Sequence, residues 1–158
     1  MQGWTTVVAF GCVLGSGLMA GLFFAFSSFV MRALAGLPPA QGVAAMQSLN
    51  ATILTPLFAL VFLGTAVASA VLAAHALWSW RAASAPLLAG SALYLVGVIA
   101  VTMAFNVPRN EALAAVDPVG VEAARLWSRY VPEWTAWNHV RTVASIGALI
   151  SFVIALRR

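Results

Sequence analysis

The sequence predicts an all-α integral membrane protein: a four-helix bundle with short interfacial helices in its first and third connections. Three observations carry this prediction. Hydrophobic residues make up 63% of the 158 and charged residues only 8%, with a mean hydropathy of +0.97, which leaves too little polar surface for a water-soluble domain. The apolar residues fall in four long stretches. A spanning helix takes about 20 residues, so four crossings and their connections use the chain as a single domain. The six tryptophans stand near the ends of those stretches, where an amphipathic indole prefers the headgroup level.

The first crossing is expected from about Trp4 to Val30. Met1-Gln2-Gly3-Trp4 lacks a basic leader, and the apolar run is longer than a signal-peptide core, so it reads as a retained helix. Gly11, Gly15, Gly17 and Gly21 form two successive small-xxx-small pairs. Such spacing lets helix backbones approach closely, within the bundle or between copies, and leaves a homo-oligomer open. Arg32 marks the end of this crossing and Leu37-Pro38-Pro39 breaks the helix. Val43, Met46 and Leu49, three residues apart, then suggest an interfacial helix over Gln41 to Leu49.

Asn50 stands where a cap would precede the second crossing, about Thr52 to Leu77, with Pro56 tolerated near the first turn. Trp78, Trp80 and Arg81 close it at the opposite surface. Pro86 leads into the third crossing, about Leu87 to Phe105, which should stop at Asn106-Val107-Pro108 because proline disfavours helix at the residue before it. The polar stretch from Arg109 to Pro132 suggests a second interfacial helix around Val121, Arg125 and Trp127. The fourth crossing is expected from about Trp134 to Leu156, ending in Arg157-Arg158.

The net charge of +4 comes from eight arginines against four acids. The arginines are scattered singly instead of forming a stripe, so nucleic acid is not an expected partner; the lipid bilayer is. Cys12 is the only cysteine, which removes an intramolecular disulfide and a cysteine metal site. Arg81, Arg157 and Arg158 sit on the shortest segments of one face without acids, which places both termini in the cytoplasm by the positive-inside rule.

Four alternating crossings bring Asn50, Thr52, Asn106, Arg109, Asn110, Glu111, Trp134, Trp137, Asn138, His139 and Arg141 to one face. At about 100° per residue, Trp134, Asn138, Arg141 and Ser145 share one side of the fourth helix, with Thr135, His139 and Thr142 along its flank. A polar stripe of this kind should face the bundle or a wet cavity. His139 is a candidate base, since imidazole exchanges a proton near neutral pH, or else a polar interhelical tie. Arg141 either stabilises an anion or stacks on Trp137, or it snorkels to an acid or a lipid phosphate. Trp134 and Trp137 are substrate platforms or belt residues. Asn106 and Asn138 donate to a developing oxyanion or satisfy helix ends.

His75 and His139 lie near opposite ends of their helices, about 25 Å apart at about 1.5 Å per residue, so they cannot share a metal or a haem. The acids offer no pair at ligand spacing, and no glycine-rich phosphate loop follows a strand. No metal site and no cofactor are expected.

Phe105-Asn106-Val107-Pro108-Arg109-Asn110-Glu111-Ala112-Leu113 and Trp134-Thr135-Ala136-Trp137-Asn138-His139-Val140-Arg141-Thr142, together with Gly21-Leu22-Phe23-Phe24-Ala25-Phe26 and the Pro-Pro connection, resemble the anthrone-oxygenase-like integral membrane family. The resemblance covers nearly the whole chain. It implies a four-helix membrane fold in a bacterial cytoplasmic membrane and cofactor-independent oxidation of an anthrone-like polycyclic phenol by O₂. The positions it maps are Asn106, Asn110, Trp137, Asn138, His139 and Arg141. In that chemistry His139 would remove the carbon-bound proton. Arg141 with Asn138 or Asn106 would hold the enolate oxygen, while Trp134, Trp137 and Phe24 would sandwich the rings. The competing class is a non-catalytic small membrane protein, either an accessory subunit or a binder of lipid or another hydrophobic molecule. Convergence of His139, Arg141, Asn106 and Asn138 on an aromatic-walled pocket discriminates the two.

Overall fold

The computed structural model describes residues 3–158, so Met1 and Gln2 of the amino-terminal reading lie outside the described residues. Five helices follow in order: α1 (Gly3–Ala35), α2 (Pro39–Thr52), α3 (Pro56–Trp78), α4 (Ser84–Ala114) and α5 (Val121–Leu156). α1, α3, α4 and α5 are long and apolar enough to cross a bilayer, and the chain is an integral membrane four-helix bundle. Leu14 and Leu18 of α1 and Leu57 and Leu60 of α3 are among the large apolar side chains left exposed. In lipid this exposure costs nothing, because the acyl chains are as apolar as leucine.

The helices pack in a ring, α1 on α3, α3 on α4, α4 on α5 and α5 on α1, with α1 and α5 the most extensive pair. Small residues set the spacing. A methyl group on Gly97 would overlap the Cβ of Ala144, and one on Gly15 would overlap the Thr65 hydroxyl. Gly11 and Gly21 have no such neighbour. Gly11, Gly15, Gly17 and Gly21 therefore do not act as one interface: Gly15 admits α3, a methyl group on Gly17 would come 3.0 Å from the end of Leu149, and Gly11 and Gly21 face away.

Two apolar clusters fill the bundle. One, with Cys12, Met19, Leu72, Tyr94, Val98 and Phe152, occupies the half nearer the chain termini. The other, with Met31, Val43, Met46, Leu113, Trp127, Tyr130 and Trp134, lies beneath α2. α2 is the interfacial helix of the first connection, and it buries Val43 and Met46 while Leu49 stays exposed. Gln47 fastens it to the end of α4, its Nε2 donating to the carbonyls of Leu113 (2.8 Å) and Val116 (3.0 Å).

Several boundaries differ from the sequence expectation. Asn50 lies inside α2, and the cap of α3 is Thr55, whose Oγ1 accepts from the Phe58 N–H at 3.1 Å. α4 does not stop at Asn106. It passes through π-helical stretches at Leu93–Ala100 and Thr102–Asn106 and resumes as an α-helix at Val107, so that Pro108 directly follows the second π stretch, where the regular hydrogen-bond ladder is already altered. The helix expected around Val121 is the first part of α5, which continues through Pro132. Burial of Trp127, Tyr130 and Trp134 on both sides of the proline holds the helix together against the lost hydrogen bond. Burial also corrects the reading of the tryptophans as a belt. Trp4, Trp78 and Trp80 are exposed, whereas Trp127 and Trp134 belong to the core.

Candidate functional site

The polar stripe of α5 faces inward. Trp134, Asn138, Arg141, Thr142 and Ser145 are all buried, as a 3–4 residue spacing on one helical face requires. A π turn at Phe26–Val30 of α1 and another at Thr102–Asn106 of α4 supply the groups that meet them, Ser27 and Thr102.

Asn138 uses its whole amide. Its Nδ2 donates to the Phe23 carbonyl (2.7 Å) and to Ser27 Oγ (2.8 Å), while its Oδ1 accepts from a terminal nitrogen of Arg141 at 2.8 Å. Thr142 closes the same network, donating to the Asn138 carbonyl and meeting Ser27 Oγ at 3.0 Å. The other terminal nitrogen of Arg141 reaches Thr102 Oγ1 at 3.3 Å. Its Nε is buried without a partner. The guanidinium carbon lies 4.4 Å from the Phe23 ring centroid and 5.0 Å from that of Trp134.

Arg141 is 5% exposed and, among the described residues, has no carboxylate partner. Among the described residues the ion pair formed is Arg109 with Glu133, at 2.9 Å near the surface. A buried guanidinium held by neutral groups and ring faces keeps its charge available to an oxyanion, because charge-assisted hydrogen bonds are strongest where water is excluded.

Asn110 sets the position of the Trp134 indole, its Oδ1 accepting from Trp134 Nε1 and from the Tyr130 hydroxyl, both at 2.8 Å. Asn106 donates from Nδ2 to the Trp134 carbonyl at 3.3 Å, and its Oδ1 is buried without a partner.

A cavity of about 420 Å³ opens beside this network. Phe23, Phe26, Phe58, Leu22, Ile53 and Leu54 form its apolar walls, and Gln47, Asn50, Thr102, Asn110, Glu111, Trp134 and Arg141 are its more polar lining. The volume suits a small polycyclic molecule.

The expected site residues divide into three groups. Arg141, Trp134 and Asn110 line the cavity. Asn138 and Asn106 stand behind it, bonded to Arg141 and to the Trp134 backbone. His139, Trp137 and Phe24 do not join them. His139, about 200° around the helix from Arg141, is exposed and lines a separate depression with Ser27, Ser28, Arg32 and Thr135. Trp137 stacks on Phe105 with centroids 3.5 Å apart, and Phe24 is exposed on the outside of α1. Ring walls therefore come from Phe23, Phe26 and Phe58. Alternation of the crossings alone brings Asn50 and Glu111 to this face. The polar positions Ser27 and Thr102, inside otherwise apolar runs, were the available signal for the rest of the network.

A family model described as anthrone oxygenase matches residues 56–151. This chain belongs to the anthrone oxygenase family. No curated protein and no solved structure matches it. The anthrone oxygenase match runs from the start of α3 almost to the end of α5, so it takes in Thr102, Asn106, Asn110, Trp134, Asn138 and Arg141. Phe23, Phe26, Gln47 and Asn50, on the α1 and α2 side of the cavity, fall outside it. At the level of the anthrone oxygenase family, an oxygenase-like oxidoreductase function accords with this membership.

Proposed function

We propose that the protein oxidises an anthrone-like polycyclic phenolic substrate with O₂ in the Arg141 cavity, without a bound cofactor. The observation that supports this reading best is the buried, carboxylate-free guanidinium of Arg141 between the rings of Phe23 and Trp134. Such a group favours a flat molecule that becomes anionic on its oxygen during reaction, and it has no protein anion to be released from first.

In this reading the ring methylene loses a proton and the electrons move onto the carbonyl oxygen, where Arg141 holds the resulting enolate. The enolate passes one electron to O₂, and the carbon radical and superoxide combine to form a C–O bond. The peroxide takes up a proton, then loses water as the second methylene hydrogen leaves and the O–O bond breaks. The balance is one anthrone plus one O₂ to one anthraquinone plus one water. Glu111 is the one carboxylate among the lining residues, and we assign it the first proton transfer in place of His139. Asn138 and Asn106 position Arg141 and Trp134. Leu54 lines the cavity and is 75% exposed, which gives an apolar substrate a route from the lipid. With both termini in the cytoplasm, this face of the bundle lies on the other side of the membrane.

The test is anthrone oxidation by the purified protein in lipid nanodiscs, followed as O₂ uptake and anthraquinone formation above the rate with heat-denatured protein. Saturable turnover that Arg141→Met removes supports the reading. Stoichiometric anthrone binding without turnover would favour the hydrophobic-ligand binder instead.

A further inference from the structure

We propose that the opposite face of the bundle carries a second site, one that binds a phosphate group, where the ends of α1, α3, α4 and α5 meet. It is independent of the oxidation reading. A cavity of about 230 Å³ lies there, and its lining includes Thr5, His75, Ser79, Arg81, Ser84 and Arg158. α1, α3, α4, the connection between α3 and α4, and Arg158, just past the end of α5, contribute to it.

Charge decides what it would take. The four acids of the chain are Glu111, Asp117, Glu122 and Glu133, all between the end of α4 and the first part of α5, at the far face. Among the described residues, no carboxylate side chain lines this cavity. Arg81 and Arg158 therefore converge on one space with no side chain of opposite charge. The planar guanidinium fork suits phosphate oxygens, and the Ser79 hydroxyl adds a neutral polar group.

The site is also held in shape. Ser84 Oγ accepts from the Arg81 N–H at 2.9 Å and donates to the Ser79 carbonyl at 3.4 Å, tying the connection into a compact turn under Arg81. The His75 ring is set edge-on against Trp4, with centroids 4.9 Å apart. A basic pocket between helix ends at the membrane surface is the kind of place where an anionic lipid headgroup binds. A free phosphate ion carries the same chemistry.

Native mass spectrometry of the detergent-solubilised protein tests this with dioleoyl phosphatidylglycerol and with dioleoylglycerol, which has the same chains and no phosphate. The wild type should retain phosphatidylglycerol and not dioleoylglycerol. R81Q/R158Q should lower retention about tenfold or more, while R125Q/R129Q, at the acidic face, should not; unchanged thermal melting of each variant confirms its fold. Displacement of phosphatidylglycerol by millimolar inorganic phosphate assigns the site to phosphate alone, and resistance to it assigns the site to the lipid. Equal retention of phosphatidylglycerol by R81Q/R158Q and wild type overturns the proposal, as does equal retention of both lipids by the wild type.

Discussion

Asn138 Oδ1 accepts a hydrogen bond from Arg141 at 2.8 Å, one turn away on the same helix. The acceptor is an uncharged amide, so the guanidinium is held in place without being neutralised. The other half of the amide is anchored on α1 through the Phe23 carbonyl and Ser27, which makes the position of the cation depend on the contact between α1 and α5.

Replacing that amide should expose the distinction between holding the charge and cancelling it. Asn138→Asp keeps the shape, but its carboxylate would pair with Arg141 and set an anionic oxygen against the Phe23 carbonyl. The expected outcome is a fall of about 10²–10³ in kcat/KM for anthrone. Asn138→Ala should cost about 1–3 kcal/mol of stability, because it leaves buried polar groups unpaired. Steady-state kinetics and thermal melting in detergent measure the two effects.

The base can be assigned by a pair of variants. Glu111 lines the cavity and His139 lines a different depression. Glu111→Gln should lower kcat by about 10²–10⁴, the usual worth of a positioned proton acceptor. His139→Ala should leave turnover unchanged. A full rate in Glu111→Gln together with a lost rate in His139→Ala would reverse the assignment.

How much of this was legible beforehand differs from residue to residue, for physical reasons. The four crossings follow from length and hydropathy, since nothing but lipid can face so many exposed leucines. The stripe of Trp134, Asn138, Arg141 and Ser145 follows from helical period, because polar groups in a spanning helix turn inward. The choice between Phe23 and Phe24 did not, since α1 is apolar on every side and lipid resembles a core. Nor did the continuity of α5 through Pro132, which depends on Trp127, Tyr130 and Trp134 packing beneath α2. His139 neighbours Asn138 in sequence but points elsewhere at about 100° per residue, so adjacency in sequence does not bring it to the Arg141 cavity.

Close packing of α4 on α5 predicts an asymmetry among glycines. Gly97→Ala forces a methyl group into Ala144 and should destabilise the protein by about 1–3 kcal/mol. Gly11→Ala meets nothing within 4 Å and should stay within about 0.5 kcal/mol of wild type. Thermal melting of the two variants in the same detergent checks the contrast.

The Arg109–Glu133 pair sits at the surface, with its side chains 27% and 45% exposed. Solvent screens such a pair, so Glu133→Gln should cost under about 1 kcal/mol and leave anthrone oxidation unaltered. Denaturant or thermal titration alongside the kinetic assay would show it.

The most direct test of the Arg141 cavity is anthrone-dependent O₂ uptake by wild type and Arg141→Met in nanodiscs. Methionine replaces a buried charge with an apolar group of similar length and leaves Asn138 Oδ1 without its donor, a cost of about 1–3 kcal/mol, and thermal melting verifies that the variant folds. The expected result is a folded variant whose rate falls about 10²–10³. A folded Arg141→Met protein that oxidises anthrone at the wild-type rate would contradict the account.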